Sequence, residues 1–398
     1  MGSIKKYTIG IIVAFSLMAY SCVEPFIYES EIFDSAVVVE GTITNTEKYQ
    51  EILLSVTYKL EENGPVPLRS AEVSVKDDTG RLFVFEERTP GKYISINAFK
   101  AEEGRSYVLG FTTPDGRSYT SDHVQFSGTT IIENVYAQTG NNIEGNPGIE
   151  IRVNGRGTAG SSGYYRYEYE ETYKIVSPFF KTQDIILDGN NNVNLIPKSK
   201  EEFTCFKTDP SQNIVISNTN SLNDDNVQGE LLRFIRKENP VFAHRYSILV
   251  KQYGISREAY SFYQTLKDQS ESESLFSQVQ PGYLPGNIYS LSNPNENVLG
   301  FFSVSSVSEK RVYFNYTDFY NVNEGLRPTF TPYCPREIPN NFATLVQWIN
   351  SSRYRLFEDL HDPPNPPDNT PHRYVFVPAE CVDCTLIGSN EVPDFWVE

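Results

Sequence analysis

The cysteines are the residues of this chain whose type and spacing are best suited to chemistry. Cys381 and Cys384 are separated by two residues, a spacing found in redox dithiols and in zinc sites. A redox thiolate needs a lowered pKa, but the flanking carboxyl groups of Glu380 and Asp383 would raise it. Zinc would need two further soft ligands, for which the chain offers Cys205, Cys334 and His372. Structural disulfides are the third interpretation and the one we favour.

The N-terminus has the layout of a secretory signal that ends at a cysteine. Lys5 and Lys6 give a positive start, and residues 7–20 form an uncharged, mostly apolar stretch. That stretch is shorter than the roughly twenty residues that a membrane-spanning helix needs. Ser21 then places a small residue just before Cys22. We predict a signal peptide over residues 1–21, lipidation of Cys22 and an acidic tether over residues 22–33. The alternative is an ordinary secretory signal followed by an accidental cysteine.

An even number of the remaining cysteines in an exported chain predicts disulfide bonds. The four candidates are Cys205, Cys334, Cys381 and Cys384. They allow three pairings, among which the sequence does not choose. A bond from Cys205 to Cys334 would close a loop of about 130 residues and contribute about 4 to 5 kcal/mol to stability.

Motifs typical of enzymes are missing from the sequence. The histidines form no zinc-protease motif, and neither a Gly-x-Ser-x-Gly elbow nor a phosphate-binding glycine loop occurs. Carboxylate pairs are too numerous in this acidic chain for one pair to stand out, so a glycosidase-type Asp/Glu pair stays an alternative. We predict no catalytic residue and no cofactor.

Two polar segments resemble calcium loops only superficially. Residues 188–194 (DGNNNVN) offer side-chain oxygens at alternate positions, but the glycine is misplaced for a helix-loop-helix hand and no glutamate follows at the twelfth position. A polar hairpin loop is the preferred interpretation, and residues 223–226 (NDDN) are interpreted in the same way. We therefore predict no metal site.

Three large apolar side chains lie towards the end of the chain. Trp348, Phe395 and Trp396 would be candidate interface anchors if they are exposed. Packing into a core is the more usual role of such residues, and it is the alternative here.

The charge of the chain excludes one class of partner. The formal net charge is -17 at pH 7, whereas nucleic-acid binding depends on Lys and Arg that neutralise phosphates. Anionic lipid surfaces should also repel such a body. The predicted lipid on Cys22 would therefore have to hold the protein at the membrane, and stable anchoring needs more than one acyl chain.

The composition and turn pattern predict an all-β fold. The chain has 26 Tyr and 25 Phe against 2 Met, and aromatic residues favour strands. Residues 34–126 show seven short apolar stretches with turns every eight to twelve residues, among them the Asp115-Gly116 turn. This pattern predicts an N-terminal immunoglobulin-like β-sandwich.

Residues 127–398 are predicted to form a larger β-rich domain with two short helices. A long strand is expected over residues 164–176, where tyrosines alternate with charged residues until Glu171 breaks the alternation and suggests a bulge. One helix begins at the Ser256 cap and ends after Lys267, and a second covers residues 341–351. Residues 362–371 (DPPNPPDNTP) predict an exposed loop. Further strands are predicted at residues 147–153, 185–187, 203–207, 213–217, 244–253, 298–307, 311–314 and 374–377.

Several stretches of this second region, taken in order, resemble a family of Bacteroidota lipoproteins known as domain of unknown function 4249. They are TCFK at residues 204–207 with IVI at 214–216, RYSILVKQY at 245–253, SREAYSFY at 256–263, PGNI at 285–288, VLGFFSV at 298–304, and the ending Cys381-x-x-Cys384 with Gly388 and PDFW at 393–396. The likeness covers almost the entire mature chain.

The resemblance implies an outer-membrane lipoprotein that is commonly encoded beside a TonB-dependent receptor. It implies no known reaction and no catalytic residue. Glu24 after Cys22 is a thin version of the signal that sends such lipoproteins to the cell surface, so the sequence leaves the periplasmic and surface leaflets both open.

Three functions follow as hypotheses. The first is a lipid-anchored binding or interaction protein, an accessory to a TonB-dependent transporter, with an unidentified ligand and no nucleic-acid partner. The second is a surface hydrolase of glycans or peptides that uses an Asp/Glu pair about 5 to 9 Å apart, one member with a raised pKa. The third is a purely architectural component.

Overall fold

The computed structural model describes residues 35–58, 64–126, 128–158, 160–220, 225–271, 284, 286–321, 327–360 and 367–398. The predicted signal peptide over residues 1–21, the lipidation site Cys22 and the tether over residues 22–33 lie outside these ranges. So do residues 223–224 of the second polar segment and residues 362–366 of the proline-rich segment.

Within these ranges the chain is mainly β, as the sequence predicts, and also has two α-helices. The strands of the first half are β1 (Val37–Thr44), β2 (Glu51–Val56), β3 (Val66–Pro67), β4 (Glu72–Asp77), β5 (Leu82–Thr89), β6 (Lys92–Ser95), β7 (Ser106–Thr112), β8 (Ser118–Ser121), β9 (Val124–Gln125), β10 (Thr130–Asn141), β11 (Pro147–Gly157) and β12 (Tyr164–Val176). Those that follow are β13 (Gln183–Leu187), β14 (Val193–Pro197), β15 (Thr204–Pro210), β16 (Val215–Asn218), β17 (Asn226–Arg236), β18 (Arg245–Gly254), β19 (Ile288–Ser290), β20 (Val298–Asn315), β21 (Tyr354–Asp359) and β22 (Tyr374–Pro378). The helices are α1 (Arg257–Glu271) and α2 (Phe342–Ile349).

One long strand, β20, joins the two halves of the molecule. Its first part pairs in parallel with β1, from Val298 opposite Val37 to Ser305 opposite Thr44. Its second part pairs antiparallel with β18, from Ser306 opposite Gly254 onward. A single sheet therefore runs in the order β15-β12-β18-β20-β1-β2-β6-β5-β4-β7-β8-β19.

The first half of this sheet curls around an apolar core. The core combines inward-facing residues of β1, β2 and β4 to β8 with Ile288, Phe302 and Val304 from much later in the chain. The side chain of Asn287 also donates to the backbone oxygen of Phe302 and accepts from its N–H, at 2.8 and 2.9 Å. The region predicted as an immunoglobulin-like sandwich over residues 34–126 thus shares its sheet and core with later strands that the prediction did not include.

A second core lies between β12, β18 and a separate three-stranded sheet, β10-β11-β17. Tyr165, Tyr167 and Tyr169 of β12 face this core, as the alternation of the sequence predicts. Tyr173, which lies beyond the predicted break at Glu171, faces it as well. The predicted bulge at Glu171 is wrong, because the pairing of β12 with β15 and β18 keeps its register through this residue.

Glu171 can face the core without disrupting the register of the strand because it has partners there. Arg233 of β17 forms an ion pair with it at 3.2 Å. The hydroxyl of the fully buried Tyr246 donates to the same carboxylate at 2.8 Å. A charged residue can therefore occupy an inward position without breaking the strand.

A third, smaller core packs α2 on the hairpins β13–β14 and β21–β22, around Leu345, Leu356, Tyr374 and Phe376. Both predicted helices are present, although α1 continues to Glu271 and so extends beyond the end predicted after Lys267. The Ser256 hydroxyl accepts from the N–H of Ala259 at 3.2 Å at the start of α1, and the Asn341 side chain accepts from the N–H of Thr344 at the start of α2. No helix in the described ranges is both long and apolar enough to cross a bilayer.

Candidate binding cleft

An open cleft of about 830 Å³ lies on the outer face of the large sheet, between α1 and strands β1 and β2. Alternate residues of β1, such as Val39, point into the first core, so Val38, Glu40 and Thr42 face the cleft instead. A volume of this size falls in the range of small-molecule sites.

The walls of the cleft are mostly apolar. Their large side chains are Val38, Leu53, Phe262, Leu266, Leu299 and Phe301. Phe262 of α1 packs on Phe301 of β20 with 5.3 Å between ring centroids, which fixes the helix on the sheet. Leu53 is 37% exposed, so part of this apolar lining faces solvent.

A charged group lies in the floor of the cleft. The guanidinium of Arg166 lies over the rings of Tyr253 and Tyr263, at 4.7 and 4.8 Å from their centroids. Its Nη1 contacts Glu168 Oε1 at 2.5 Å, whereas its buried Nε has no hydrogen-bond partner among the described residues. The hydroxyl of Tyr253 donates to the other oxygen of Glu168 at 2.9 Å.

The protonation states of this floor follow from its contacts. Burial opposes the charge of Arg166, but Tyr263, Glu168 and Tyr253 together raise its pKa above the usual value. Burial, and then the charge of Glu168, also raises the pKa of Tyr253. At neutral pH the floor therefore holds a permanent cation and a neutral hydroxyl donor.

The cleft as a whole favours ligands that carry no negative charge. Three carboxylates line it, on Glu40, Glu51 and Glu168, against the single guanidinium of Arg166. Glu51 is paired with Lys92 at 2.6 Å and Glu168 with Arg166. An apolar body with a cationic or hydrogen-bond-donating group would complement such a surface.

A glycine shapes one wall of the cleft. Gly300 of β20 has φ +98, a backbone conformation that residues other than glycine rarely adopt. A Cβ at this position would lie 1.9 Å from the carbonyl oxygen of Val39. The close approach of β20 to β1 therefore requires glycine here.

Among the described residues, the carboxyl group with a raised pKa is that of Glu230, which lies outside the cleft. Glu230 of β17 is half-buried, and this burial raises its pKa, although Lys267 and Arg152 lower it in part. Glu230 does not line the cleft. It is thus not placed to pair with a cleft carboxylate in the way that the hydrolase hypothesis requires.

The four cysteines form two disulfides, Cys205–Cys384 and Cys334–Cys381, with Cα atoms 5.7 and 5.8 Å apart. This is one of the three pairings that the sequence allowed. Cys381 and Cys384 bond to distant cysteines rather than to each other, so they are not a redox dithiol. None of the four is left as a thiolate for zinc.

The other predicted residues lie apart from the cleft. Trp348 stacks on Tyr354 at 4.6 Å in the third core, whereas Trp396 packs edge-on against Phe206 at 4.9 Å. Phe395 is exposed, and the Arg311 guanidinium lies 3.6 Å from its ring centroid. The structure brings Phe395 and Trp396 together but not Trp348, and their role as interface anchors stays a prediction.

The first polar segment is a hairpin turn, as expected. The carboxylate of Asp188 accepts from the backbone N–H groups of Asn190 and Asn192, each at 2.8 Å, between the paired strands β13 and β14. The described residues hold no group of three or more histidine, cysteine or acidic side chains arranged to bind a metal ion.

Sequence reasoning missed Arg166 and Glu168 as components of a site. Alternation placed both on the polar face of β12, which a two-layer protein would expose to solvent. The available signal was the helix that follows β18 directly, because a short connection of this kind packs the helix against the sheet beside its strand.

Comparisons with known proteins add a family but no activity. No curated protein matches the chain. Among solved structures, the B domain of a biofilm associated protein is similar at 8% identity over 69% of this chain and 85% of that one. Its TM-score of 0.12 supports no statement about fold or function. A family model described as "Domain of unknown function (DUF4249)" matches residues 23–311. The match spans well over half of the chain and confirms the resemblance as far as residue 311, whereas the stretches at residues 381–396 lie beyond it. The protein therefore belongs to the DUF4249 family.

Proposed function

We propose that this protein is a lipid-anchored binding protein of the outer membrane and an accessory to a TonB-dependent transporter. The observation that carries the proposal is the cleft between α1 and the outer face of the sheet, which has apolar walls and a charged floor at Arg166. Such a combination binds a small molecule by its apolar body and orients it through a few polar groups.

The position of the cleft supports a role close to the membrane. Ala36, which lines it, follows the predicted anchor Cys22 by fourteen residues. A chain of that length spans at most about 50 Å when fully extended. A transporter in the same membrane would therefore lie within reach of the cleft.

The acidic character of the chain supports the same role. A net charge of -17 weakens direct adhesion to anionic lipid, so the body would stand off the bilayer on its anchor. The ligand that suits the cleft has an apolar body without negative charge, and the transporter would take it up from the accessory protein.

The proposal is tested by affinity capture of the tagged full-length protein from detergent-solubilised outer membranes. We expect mass spectrometry to identify a TonB-dependent transporter in the eluate, in amounts comparable to the captured protein. Cells that express the untagged chain are the control and should yield none. Recovery of the captured protein alone under several growth conditions would contradict the accessory role.

A further inference from the structure

A second pocket gathers positive charge in an otherwise acidic chain. It has a volume of about 360 Å³ and lies near the far end of β12 from the cleft. Lys174, Arg245 and Arg327 line it, together with the hydroxyl-bearing residues Thr204 and Thr317. Three cations around one small pocket contrast with the net charge of -17 of the whole protein.

Aromatic rings and polar groups hold the two guanidinium groups in place. Arg245 lies over Tyr313 at 5.1 Å, and its Nη1 donates to Asn315 Oδ1 at 2.9 Å. Arg327 lies over Tyr316 at 5.5 Å. These contacts fix the orientation of both groups without neutralising their charge.

The protonation state of His244 reflects its burial and the positive charges of this pocket. Burial, then the charges of Arg327 and Lys174, lowers the pKa of His244 to about 4. The imidazole is therefore neutral at pH 7, and its Nδ1 lies 3.0 Å from Nη1 of Arg327, in place to accept a hydrogen bond. Arg327 and Lys174 thus lie close enough to the imidazole to disfavour its protonated, positively charged form.

The carboxylate of Glu398 lines the pocket and neutralises its positive charge only in part. Glu398 Oε1 contacts the Lys174 ammonium at 2.8 Å, yet its side chain is 65% exposed, at the rim. Two carboxylates in adjoining turns are committed to backbone amides: Asp318 accepts from Asn315 at 2.7 Å and Glu201 from Phe203 at 2.6 Å. Neither of these two lines the pocket.

We propose that this pocket binds an oxyanion, namely the phosphate or sulfate group of a small molecule or of a lipid headgroup. Guanidinium groups bind such oxygens in pairs, an ammonium adds a point charge, and threonine hydroxyls can donate as well. Glu398 shows that the pocket already accepts a carboxylate at its rim. That residue competes with the ligand for Lys174.

The test is calorimetric titration of the mature protein at low ionic strength, with inorganic phosphate and glucose 6-phosphate as probes. Lys174→Gln and Arg327→Gln should each weaken binding by about tenfold or more, the loss typical of one charge-assisted contact. Glu398→Gln should tighten binding several-fold. Lys251→Gln is the matched control, since Lys251 is 25% exposed against 23% for Lys174 and also contacts a glutamate at 2.8 Å.

Two results would overturn the inference. The first is no binding of either probe, at concentrations up to about 10 mM, to the wild type and to Glu398→Gln. The second is an equal loss of affinity in Lys174→Gln and in the Lys251→Gln control, which would indicate unspecific charge effects. Vesicles of phosphatidylcholine with and without phosphatidylglycerol separate the two sources: binding that needs phosphatidylglycerol and Lys174 assigns a headgroup, and binding of the soluble probes alone assigns a free ligand.

Discussion

At the residue scale, the structure depends on charged side chains that are buried with partners. Glu171 is held by Arg233 and by the hydroxyl of Tyr246, and Arg166 by Glu168 and two tyrosine rings. The alternation of β12 predicts the direction of its side chains correctly as far as Glu170, whereas the bulge predicted at Glu171 is wrong. What it cannot predict is whether a charged residue meets solvent or a partner, because Arg233 and Tyr263 come from distant parts of the chain.

The half-buried His244 should make the stability of the protein depend on pH. Its folded pKa of about 4 lies below the unfolded value of about 6.5, so between these values the unfolded chain binds a proton that the folded chain does not. The free energy of unfolding should therefore fall, by about 2 to 3 kcal/mol from this group, as the pH decreases from 6.5 to 4.

Urea unfolding at several pH values measures this effect. His244→Gln should lose that part of the pH dependence, and His123→Gln, at an exposed position, should keep it. A wild type and a His244→Gln variant with the same slope of stability against pH would show that the imidazole is not buried in its neutral form.

At the element scale, the sequence predicted those strands and helices whose formation depends on residues close together in the chain. The strand over residues 164–176 has the predicted bounds, since the alternation of tyrosines with charged residues up to Glu170 is a strong signal, and the Ser256 cap marks the start of α1. By contrast, β17 (Asn226–Arg236) was missed. Its Gly229 has φ +64 and its pairing with β11 shifts register, so its sequence does not alternate.

Strand β20 shows a second reason why strand bounds could not be predicted from the sequence. The sequence predicts two strands, over residues 298–307 and 311–314, which the polar residues Ser308, Glu309 and Lys310 separate. In the structure this polar stretch pairs with Gln252, Lys251 and Val250 of β18. Long-range pairing therefore overrides a local preference, as is common in sheets. The cleft lies on the sheet that this strand forms with β1 and β18, and the sequence alone did not predict these long-range pairings.

The cleft between α1 and β1–β2 should bind an apolar probe. The neutral dye N-phenylnaphthylamine should fluoresce with the wild type, and Leu53→Glu should weaken that binding by about tenfold, because a carboxylate replaces apolar lining. Leu291→Glu is the control, since Leu291 is an exposed leucine, at 62%, that does not line the cleft. Equal affinities of wild type and Leu53→Glu would place the dye elsewhere and remove the support for this site.

At the scale of the whole molecule, residues far apart in sequence close the fold. Strand β20 returns to pair with β1, and the Cys205–Cys384 bond ties the end of the chain to β15 across 179 residues. The sequence predicted that disulfides form but not their pairing, because four cysteines are compatible with three pairings and only the folded sheet brings particular ones together. Closing loops of this length contributes about 2 to 5 kcal/mol per bond.

The proposed function requires that this acidic body be held at the membrane through one residue, Cys22. The most direct measurement is the distribution of the wild type and of Cys22→Ser between the membrane pellet and the supernatant after a high-salt wash. We predict that the wild type stays in the pellet, since multiple acyl chains anchor it, and that Cys22→Ser moves to the supernatant. A Cys22→Ser variant that sediments with the membranes as completely as the wild type would contradict the account.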